Sequence, residues 1–396
     1  MRNRKVRILI LTADAGFGHR SAANAVAEAL QLKYESRVEA IIANPLDHEK
    51  APPFLRDSQS DYDRWIKEVP ELYKLGYDAS DAAIPTRLLE DSLALLLHEA
   101  IKDTCRQYQP DVILTTYPMY QSAVTLLHRN KKVKTPFYTV VTDLSTVHLL
   151  WFHRKVDGCL VPNRIVAELA YSSQLDNERV IITGIPVSPE IARETRTQSE
   201  IRAELGWQSG LTTILAVGSN RTDKLMDALN VVNHYGVSLQ LVVVAGGNKE
   251  LYGELKQVDW HIPVHLYDYV DKMPALMKAS DLIICKAGGL IVTESMASGL
   301  PMILTDVIPG QETGNAEYIK AAKAGIVADS AVEMLEGLNH LLRDDQSLLK
   351  QYAQNARALG VPDAAFKVAD ILWEAGTNRI KRRSHASLET SGQKNE

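Results

Sequence analysis

The 396-residue sequence contains little cysteine, no long hydrophobic run and no excess of positive charge. Its three cysteines are scattered without a CxxC pair, which excludes a disulfide framework or a zinc site of the usual spacing and indicates a reducing compartment. No stretch reaches the roughly 18 apolar residues that a membrane-spanning helix needs. The formal net charge of −5 argues against a dedicated nucleic-acid binder. What remains is an ordinary globular composition, 45% hydrophobic and 23% charged.

Short apolar runs rich in β-branched residues alternate with helical patterns along most of the chain. Runs of this kind are buried on both faces of parallel sheets, and their alternation with helices predicts an α/β fold with doubly wound sheets. Helices are expected at 20–33 and 89–107. The candidate strands are 6–12, 38–43, 111–115, 136–142, 157–161, 179–183, 211–217, 238–245, 263–267, 281–285 and 301–304.

The alternation is interrupted once, at GIPVSPE (184–190), where two prolines and a glycine precede a polar stretch. A chain of this length is expected to form two domains. We therefore predict a first domain over 1–187 and a second over 188–378, while the basic and polar segment 379–396 has the composition of a disordered tail. Two Rossmann-like domains facing a central cleft would bind ligands at the carboxyl ends of their strands.

The stretch KAGGLIVTESMASGLP (286–301) has the pattern of a strand end, a glycine turn and a short helix. Free N–H groups at the helix start, after Gly288 and Gly289, favour an anion such as a diphosphate. Glu294 in this helix is placed to accept hydrogen bonds from a ribose diol, and Gly299 is expected to cap the helix end. Such glycines also occur in ordinary βα turns, so this pattern alone leaves both interpretations open.

A polar loop, PGQETGNAEY, follows the next predicted strand and contains Gln311, Glu312 and Asn315. Amide and carboxylate groups in this arrangement can hold several sugar hydroxyls. With KAGGLIVTESMASGLPMIL, the loop resembles the donor signature of the family 28 glycosyltransferases, which have the GT-B fold. Within that family the chain is similar to the monogalactosyldiacylglycerol synthases and the processive diacylglycerol glucosyltransferases, from position 6 to about position 375.

The resemblance implies a role for each donor-binding residue. It implies that Val270 lies against the uracil, that Glu294 binds the ribose, that Gln311 and Glu312 bind the hexose, that Asn315 supports their loop, and that Lys286, Gly218, Ser219 and Asn220 belong to the same donor site. The loop VGSNRTDK, near the diphosphate, has one glycine where relatives often have two or three. Arg221 in it is either a compensating charge-assisted contact or a solvated surface residue.

The stretch ADAGFGHRSAANAV (13–26) follows the first predicted strand. Its GxGxxS pattern differs from the dinucleotide pattern GxGxxG, and His19 would crowd a dinucleotide loop, so a nicotinamide or flavin site is disfavoured. The resemblance implies that Gly16 and Gly18 let an acceptor approach the backbone and that His19 is the general base, with a pKa near its ordinary value of about 6.5. The alternative is a histidine that caps the following helix.

The stretch TVVTDLSTVHLLWFHR follows a buried strand and matches the galactolipid synthases more closely than the glucosyltransferases. Asp143 is expected at the carboxyl edge of the sheet, where it orients His19 or raises its basicity; an N-cap of a following turn is the alternative. We expect His148 and Trp151 to line the acceptor or sugar pocket. Core packing is the alternative for Trp151 and Phe152.

Residues 45–98 form a long, irregular connection between predicted strands. Tryptophan and tyrosine beside basic residues suit a membrane interface, and a helical cap on the domain is the alternative. The large apolar residues of this region are Phe54, Leu55, Trp65, Ile66, Leu72 and Tyr73. The basic segments RNRKVR and RIKRR near the two ends would each attract anionic lipid, by ~1 kcal/mol per basic residue.

Together these expectations describe an inverting hexosyltransferase at a membrane surface. It would move galactose, in preference to glucose, from a UDP-sugar to 1,2-diacylglycerol and give a β-glycosyl-diacylglycerol. Its partners would be UDP-hexose, diacylglycerol and anionic lipids, with no nucleic acid, cofactor or metal. Its location would be cytoplasmic, peripheral on the inner face of the cell membrane.

Four alternatives have a related pattern: a UDP-glucose-dependent diacylglycerol glucosyltransferase, a peptidoglycan-precursor N-acetylglucosaminyl transferase, a UDP-sugar epimerase and a catalytically silent UDP-sugar sensor. The segment TDLSTVHLLWFH and the long region before it argue against the peptidoglycan enzyme and the epimerase. A sensor would be expected to have lost its base or its donor loop. Both His19 and the acidic and amide donor residues are present.

Overall fold

The structure, a computed structural model, describes residues 4–15, 17–57, 83–129, 134–219, 222, 224–308 and 312–392. It divides into two compact units, Met1–Pro189 with Asp363–Glu396 and Glu190–Pro362. Each unit contains a six-stranded sheet in which all neighbouring strands are parallel. The predicted α/β fold with two doubly wound domains is therefore confirmed. The first division falls within GIPVSPE, at the predicted linker.

The sheet of the first unit has the strand order β2-β1-β3-β4-β5-β6. Its strands are β1 (Val6–Leu11), β2 (Val38–Ala43), β3 (Val112–Thr115), β4 (Phe137–Val140), β5 (Gly158–Val161) and β6 (Val180–Ile182). The chain runs from β1 outwards to β2 and then returns to β3 on the other side of β1. The strand order therefore reverses between β1 and β3, which is where sheets of this kind bind ligands.

Helices cover both faces of this sheet. They are α1 (Phe17–Tyr34), α2 (Ala83–Leu96), α3 (His98–Tyr108), α4 (Gln121–His128) and α5 (Arg164–Ser172). Alternate residues of β1 enter two different apolar clusters, Leu9 and Leu11 on one face and Ile8 and Ile10 on the other. This burial of both faces explains the continuous apolar character of the strands. The single helix predicted over 89–107 is interrupted at Leu97, which is buried in the core.

The sheet of the second unit has the order β12-β11-β10-β7-β8-β9. Its strands are β7 (Thr212–Val217), β8 (Leu239–Val244), β9 (Val264–Tyr267), β10 (Leu282–Lys286), β11 (Met302–Thr305) and β12 (Gly325–Val327). Here the order reverses between β7 and β10. The predicted strands agree with the observed ones to within two residues, and β12 was not predicted. Cys285 is buried in β10, as expected of a small hydrophobic residue.

The helices of the second unit follow its strands in the usual βα order. After α6 (Pro189–Arg193), at the division of the two units in sequence, come α7 (Gln198–Leu205), α8 (Leu225–Asn233), α9 (Lys249–Leu255), α10 (Met273–Ala279), α11 (Gly289–Ser298), α12 (Thr313–Ala321), α13 (Ala331–Leu342) and α14 (Ser347–Leu359). Helix α11 ends at Gly299, which has a left-handed conformation with φ of 69°. The predicted capping role of this glycine is therefore confirmed.

The C-terminal helix α15 (Ala364–Gly392) differs from the prediction. We predicted that 188–378 would form one domain and that 379–396 would be disordered, whereas the structure assigns Asp363–Glu396 to the first unit and continues the helix to Gly392. Val368 and Leu372 pack into the apolar cluster that contains alternate residues of β1 and β3. The guanidinium of Arg379 is buried and donates to the carbonyl of Pro110. Long-range packing thus orders a segment whose composition is polar.

Among the residues that the structure describes, no helix has both the length and the apolar character needed to cross a bilayer.

Candidate active site

His19 lies in the first turn of α1, directly after the loop that leaves β1. Thr116, which follows the neighbouring strand β3, donates its hydroxyl hydrogen to the backbone carbonyl of His19 over 3.0 Å. These two strands flank the point at which the strand order of the first unit reverses. The predicted position of His19 at a ligand-binding edge therefore agrees with the fold.

The imidazole of His19 lies near two aromatic rings and makes one polar contact with the described part of the chain. Its Nδ1 lies 2.9 Å from the hydroxyl of Thr142. Tyr117 meets the ring edge to face, with centroids 5.1 Å apart, and the ring of Trp151 lies 5.9 Å away. Loss of water around the ring lowers the pKa of His19 from 6.5 to about 4. The imidazole is therefore neutral at physiological pH, a state that can accept a proton.

Asp143 takes a different partner from the one we expected. Its Oδ2 accepts a hydrogen bond from the indole nitrogen of Trp151 over 2.6 Å. Among the described contacts, no hydrogen bond joins Asp143 to His19. Nδ1 of His19 meets Thr142 instead. Burial raises the pKa of Asp143 from 3.8 to about 6, and the bond from Trp151 opposes this only in part. That Asp143 influences the base remains a prediction, and no direct hydrogen bond among the described contacts supports it.

The aromatic residues after β4 belong to the core. Trp151 is 1% exposed and Phe152 is also buried, and both pack in the cluster that contains Tyr117. The structure thus favours the packing alternative for both over direct contact with a ligand. Nδ1 of His148 accepts from the backbone N–H of Leu150 and caps the short 3₁₀ turn Leu149–Trp151. A contact of His148 with an acceptor remains a prediction.

Gly18 lies beside open space at the start of α1. A Cβ atom added there would meet no heavy atom of the described residues within 4 Å, and the backbone does not need a positive φ. Neither packing nor conformation therefore requires glycine at this position. Open space above the first turn of a helix is what the predicted approach of an acceptor needs. Gly16, its predicted partner, lies outside the described residues.

Several residues predicted to bind the donor lie at the reversal point of the second sheet. Lys286 ends β10 and Gly288 is the N-cap of α11, while Gly218 follows the neighbouring strand β7. The N-cap residue supplies no side-chain hydrogen bond to the first turn of α11. Among the described residues these first N–H groups have no side-chain cap, an arrangement that agrees with an anion site, while binding of a diphosphate stays a prediction.

Lys286 and Glu312 form a buried ion pair that was not predicted. The ammonium nitrogen lies 2.6 Å from Oε1 of Glu312, and the other carboxylate oxygen accepts from the backbone N–H of Ile308. A Cβ atom at Gly288 would lie 3.3 Å from the same ammonium nitrogen, so the lysine head lies beside the helix start. Asn315 donates to the carbonyl of Ala287 over 3.0 Å, which agrees with its predicted supporting role. A contact between Glu312 and a hexose remains a prediction.

Glu294 lies in α11, and burial raises its pKa from 4.5 to about 7. It makes no hydrogen bond or ion pair through its side chain within the described parts of the chain. A partly buried carboxylate with free acceptor oxygens suits the predicted binding of a ribose diol. Val270 lies in the connection between β9 and α10 and is partly buried.

The loop after β7 is held by neighbouring loops. The carbonyl of Ser219 accepts from Asn248 and from the hydroxyl of Thr222. Asp306, directly after β11, accepts from the backbone N–H of Lys224, the residue that precedes α8. Sequence reasoning did not identify Asp306 or Thr142. Asp306 has a φ of 51°, and nothing in the sequence marks it as a left-handed residue.

Three of the other predicted residues, Asn220, Arg221 and Gln311, lie outside the described residues, as does the aromatic segment 58–82. In the part of the chain that is described, no three or more His, Cys, Asp and Glu side chains form a group that could hold a metal ion.

Two family models match the chain, one in each unit. Residues 19–187 match the model described as "Monogalactosyldiacylglycerol (MGDG) synthase", and residues 213–372 match the "Glycosyltransferase family 28 C-terminal domain". Among solved structures, MurG of Acinetobacter baumannii aligns with a TM-score of 0.59 and 16% identity over 94% of this chain and 100% of that one. A UDP-GlcNAc 2-epimerase from Neisseria meningitidis, bound to UDP-GlcNAc, aligns with a TM-score of 0.56 and 15% identity over 94% of this chain and 100% of that one. At these identities the two structures show the fold alone.

The monogalactosyldiacylglycerol synthase of Spinacia oleracea is 32% identical over 390 residues, which cover 96% of this chain and 74% of the spinach protein. The chain therefore belongs to the monogalactosyldiacylglycerol synthase family of glycosyltransferases.

Proposed function

We propose that this protein transfers galactose from UDP-galactose to the free hydroxyl of 1,2-diacylglycerol at a membrane surface and inverts the anomeric configuration. The observation that carries the proposal is His19, a neutral imidazole at the reversal point of the first sheet, in a chain whose family is named for monogalactosyldiacylglycerol synthesis. The first unit would activate the acceptor and the second would hold the donor.

His19 acts as the general base in this proposal. Its Nε2 takes the proton of the diacylglycerol hydroxyl as the hydroxyl oxygen forms a bond to C1 of the hexose. The bond between C1 and the β-phosphate oxygen breaks on the opposite face, and UDP leaves with the electron pair. A single displacement of this kind inverts the configuration and gives the β-glycoside. The open space beside Gly18 supports the approach of a bulky acceptor to the helix start.

The second unit binds UDP through groups of opposite character. The uncapped start of α11 directs partial positive charge toward the diphosphate, and the ammonium of Lys286, which is paired with Glu312, lies beside it. Glu294 accepts hydrogen bonds from the ribose hydroxyls, and Val270 packs on the uracil. The UDP-GlcNAc carried by a structure of the same fold supports a UDP-sugar as the donor class.

Exposed leucines of the first unit support action at a membrane surface. Leu88 and Leu95 on α2 are 65% and 75% exposed, and Phe54 is 62% exposed. The two leucines are seven residues apart, so they lie on the same side of the helix. Apolar side chains in such a position gain free energy by insertion among lipid chains. Exposed Arg87 beside them favours an anionic surface.

The transfer is tested with the purified full chain. Phosphatidylcholine vesicles with diacylglycerol, with and without phosphatidylglycerol, receive labelled UDP-galactose or UDP-glucose, and the lipids are separated. We expect a labelled galactolipid that β-galactosidase, but not α-galactosidase, cleaves. Labelled lipid only from UDP-glucose would show that the donor is UDP-glucose and not UDP-galactose. Cleavage by α-galactosidase would exclude inversion. No labelled lipid from either sugar would overturn the proposed function.

A further inference from the structure

Asp14 and Arg20 form an ion pair across the connection between β1 and α1. Nε and Nη2 of Arg20 each donate to a different carboxylate oxygen of Asp14, both over 2.8 Å. The two side chains are partly exposed, Arg20 to 31% and Asp14 to 53%. An exposed ion pair contributes little to stability, but two hydrogen bonds side by side also fix the relative orientation of the two groups. Arg20 directly follows His19, so the pair restrains the chain next to the histidine.

The stability of α1 alone does not explain an arginine at this position. Helix α1 begins at Phe17, so Arg20 lies in its first turn, where the helix dipole favours negative charge. That turn contains no acidic residue, and the carboxylate that meets Arg20 comes from the chain before the helix. The pair resembles a hydrophobic staple, in which a residue before the helix contacts the fourth helical residue and fixes the direction in which the chain enters.

The Asp14 carboxylate is also connected to the core of the first unit. Nδ2 of Asn44, the residue after β2, donates to Oδ2 of Asp14 over 3.4 Å. Oδ1 of the same amide lies 2.9 Å from the hydroxyl of Tyr120, a residue that is fully buried. This hydroxyl also lies 3.1 Å from the carbonyl of Thr12, directly after β1. Contacts therefore run from a buried tyrosine to Arg20, and they reach the chain both where it leaves β1 and where it enters α1.

The place of the His19 imidazole depends on how the chain enters α1. The backbone carbonyl of His19 accepts from Thr116, and its Nδ1 meets the hydroxyl of Thr142. Both contacts act within the helix, whereas the Asp14–Arg20 pair restrains the entry to it. The hydrogen bonds from Arg20 lower the pKa of Asp14 below its ordinary value of 3.8, so the carboxylate is ionised at neutral pH and the pair persists there.

We propose that Asp14 and Arg20 are positioning residues, whose ion pair fixes the first turn of α1 and with it the imidazole of His19 against the acceptor hydroxyl. Neither residue contacts the reacting atoms. Loss of the pair would lower the fraction of molecules in which the imidazole and the hydroxyl are aligned, and a displacement of about 1 Å in such a group can cost 10²-fold in rate. The proposed donor residues lie in the other unit and would not be affected. The inference rests on the proposed role of His19 as the base.

The test compares Arg20→Met, which removes the charge, with Arg20→Lys, which keeps the charge but cannot form two hydrogen bonds side by side. Arg7→Met is the matched control, because Arg7 pairs with Glu39 over 3.0 Å in the same unit, is 43% exposed, and lies at the amino end of β1. We measure kcat and KM for diacylglycerol, the UDP affinity and the melting temperature. We expect kcat of Arg20→Met to fall roughly 10–100-fold, with a smaller loss in Arg20→Lys and no change in UDP affinity. A normal kcat in Arg20→Met, or an equal loss in Arg7→Met, would overturn the inference.

The ¹H–¹³C spectrum of the histidine rings gives a readout that does not depend on turnover. The signal of His19 is the one that disappears in His19→Gln. The aromatic ring of Tyr117, with its centroid 5.1 Å from that of the imidazole, shifts this signal in the wild type. We expect Arg20→Met to move the signal and Arg7→Met to leave it in place, and an unmoved signal in Arg20→Met would contradict the positioning role. Failure of the wild type to glycosylate any lipid would instead overturn the proposed function, and the spectrum would still decide whether the pair positions the ring.

Discussion

The indole nitrogen of Trp151 donates a hydrogen bond to the Asp143 carboxylate over 2.6 Å. The bond joins a residue that follows β4 to a core residue eight positions later in the chain. It positions the indole ring, which lies 5.9 Å from the ring of His19. Asp143 is thus linked to the surroundings of the histidine through Trp151, and no described contact joins it to the imidazole. The five predictions below test this arrangement and the donor and membrane features.

Replacing Asp143 by asparagine is expected to stabilise the protein at pH 8 more than at pH 4. The folded-state pKa is raised from 3.8 to about 6, so the folded protein holds more protons than the unfolded chain between these values. Stability of the wild type therefore falls as pH rises through this window. Asparagine does not ionise, so it removes this loss of stability at high pH, and its amide oxygen can still accept the hydrogen bond from the indole N–H of Trp151. Melting temperatures at both pH values test this, and an equal shift at pH 4 and pH 8 would contradict it.

Asp143→Leu, which lacks the acceptor, should lose more of the transfer rate than Asp143→Asn.

Replacing His19 by alanine should lower turnover by roughly 10²–10⁴-fold, the usual share of a general base. UDP affinity should not change, because the proposed donor residues lie in the other unit. The pKa of His19 is lowered to about 4, so protonation of this ring should reduce the wild-type rate only near that pH and not near 6.5. His234→Ala, at an exposed histidine of the second unit, is the control. Near-normal turnover of His19→Ala with a lower melting temperature would leave only a capping role.

Replacing Glu294 by glutamine should weaken UDP binding by ~1.5–3 kcal/mol, the range for a hydrogen bond to a charged group. Its pKa is raised to about 7, so UDP affinity of the wild type should rise as pH increases through 7 and the carboxylate ionises. The glutamine variant should not show this dependence. Calorimetric titration with UDP at pH 6 and pH 8 measures both effects. An unchanged dissociation constant for UDP in the variant would mean that Glu294 does not bind the donor.

Replacing Lys286 by methionine should destabilise the second unit by at most about 3 kcal/mol, because the buried carboxylate of Glu312 loses its ionic partner and keeps only the N–H of Ile308, while the lysine is partly exposed. The double variant Lys286→Met with Glu312→Leu should recover most of this stability but still bind UDP-galactose weakly. Urea unfolding gives the stability, and Lys320→Met, at an exposed lysine of α12, is the control. Equal destabilisation by the single and double variants would argue against the pair as the cause.

Replacing both Leu88 and Leu95 by serine should lower binding to anionic vesicles by roughly tenfold or more, because two apolar side chains lose their gain from insertion. The matched control is Val332→Ser with Leu335→Ser, which changes two exposed apolar residues of α13 in the second unit. Co-sedimentation with vesicles across a salt series measures the binding. An equal loss in both double variants would remove the specific role of α2.

Much of the fold follows from the sequence because its signals are local. A strand buried on both faces needs apolar residues throughout, so the composition of each run marks it as part of a parallel sheet. The left-handed residue after α11 needs glycine, and Gly299 marks that helix end. Strand β12 (Gly325–Val327) was missed because three residues with a glycine give no periodic pattern.

The sequence also predicted that His19 and the turn at Gly288 lie where strands of the two sheets end, and the structure agrees with this placement. His19 follows β1 after a short loop, the turn at Gly288 follows β10, and the carboxyl ends of parallel strands lie at one edge. The family resemblance, carried by KAGGLIVTESMASGLPMIL and the loop after it, agrees with the matched family models. These features depend on residue types and short spacings, which the sequence contains in full.

Only the tertiary structure decided which partner each side chain takes. His19 meets Thr142 across 123 positions of sequence, and Asp143 beside it meets Trp151. The packing of α15 on the first unit likewise could not be predicted from the sequence, since the apolar surface that it covers comes from strands far away in the chain. Residue types set which contacts are chemically possible. The choice among them depends on chain direction and packing, which exist only once the sheets have formed.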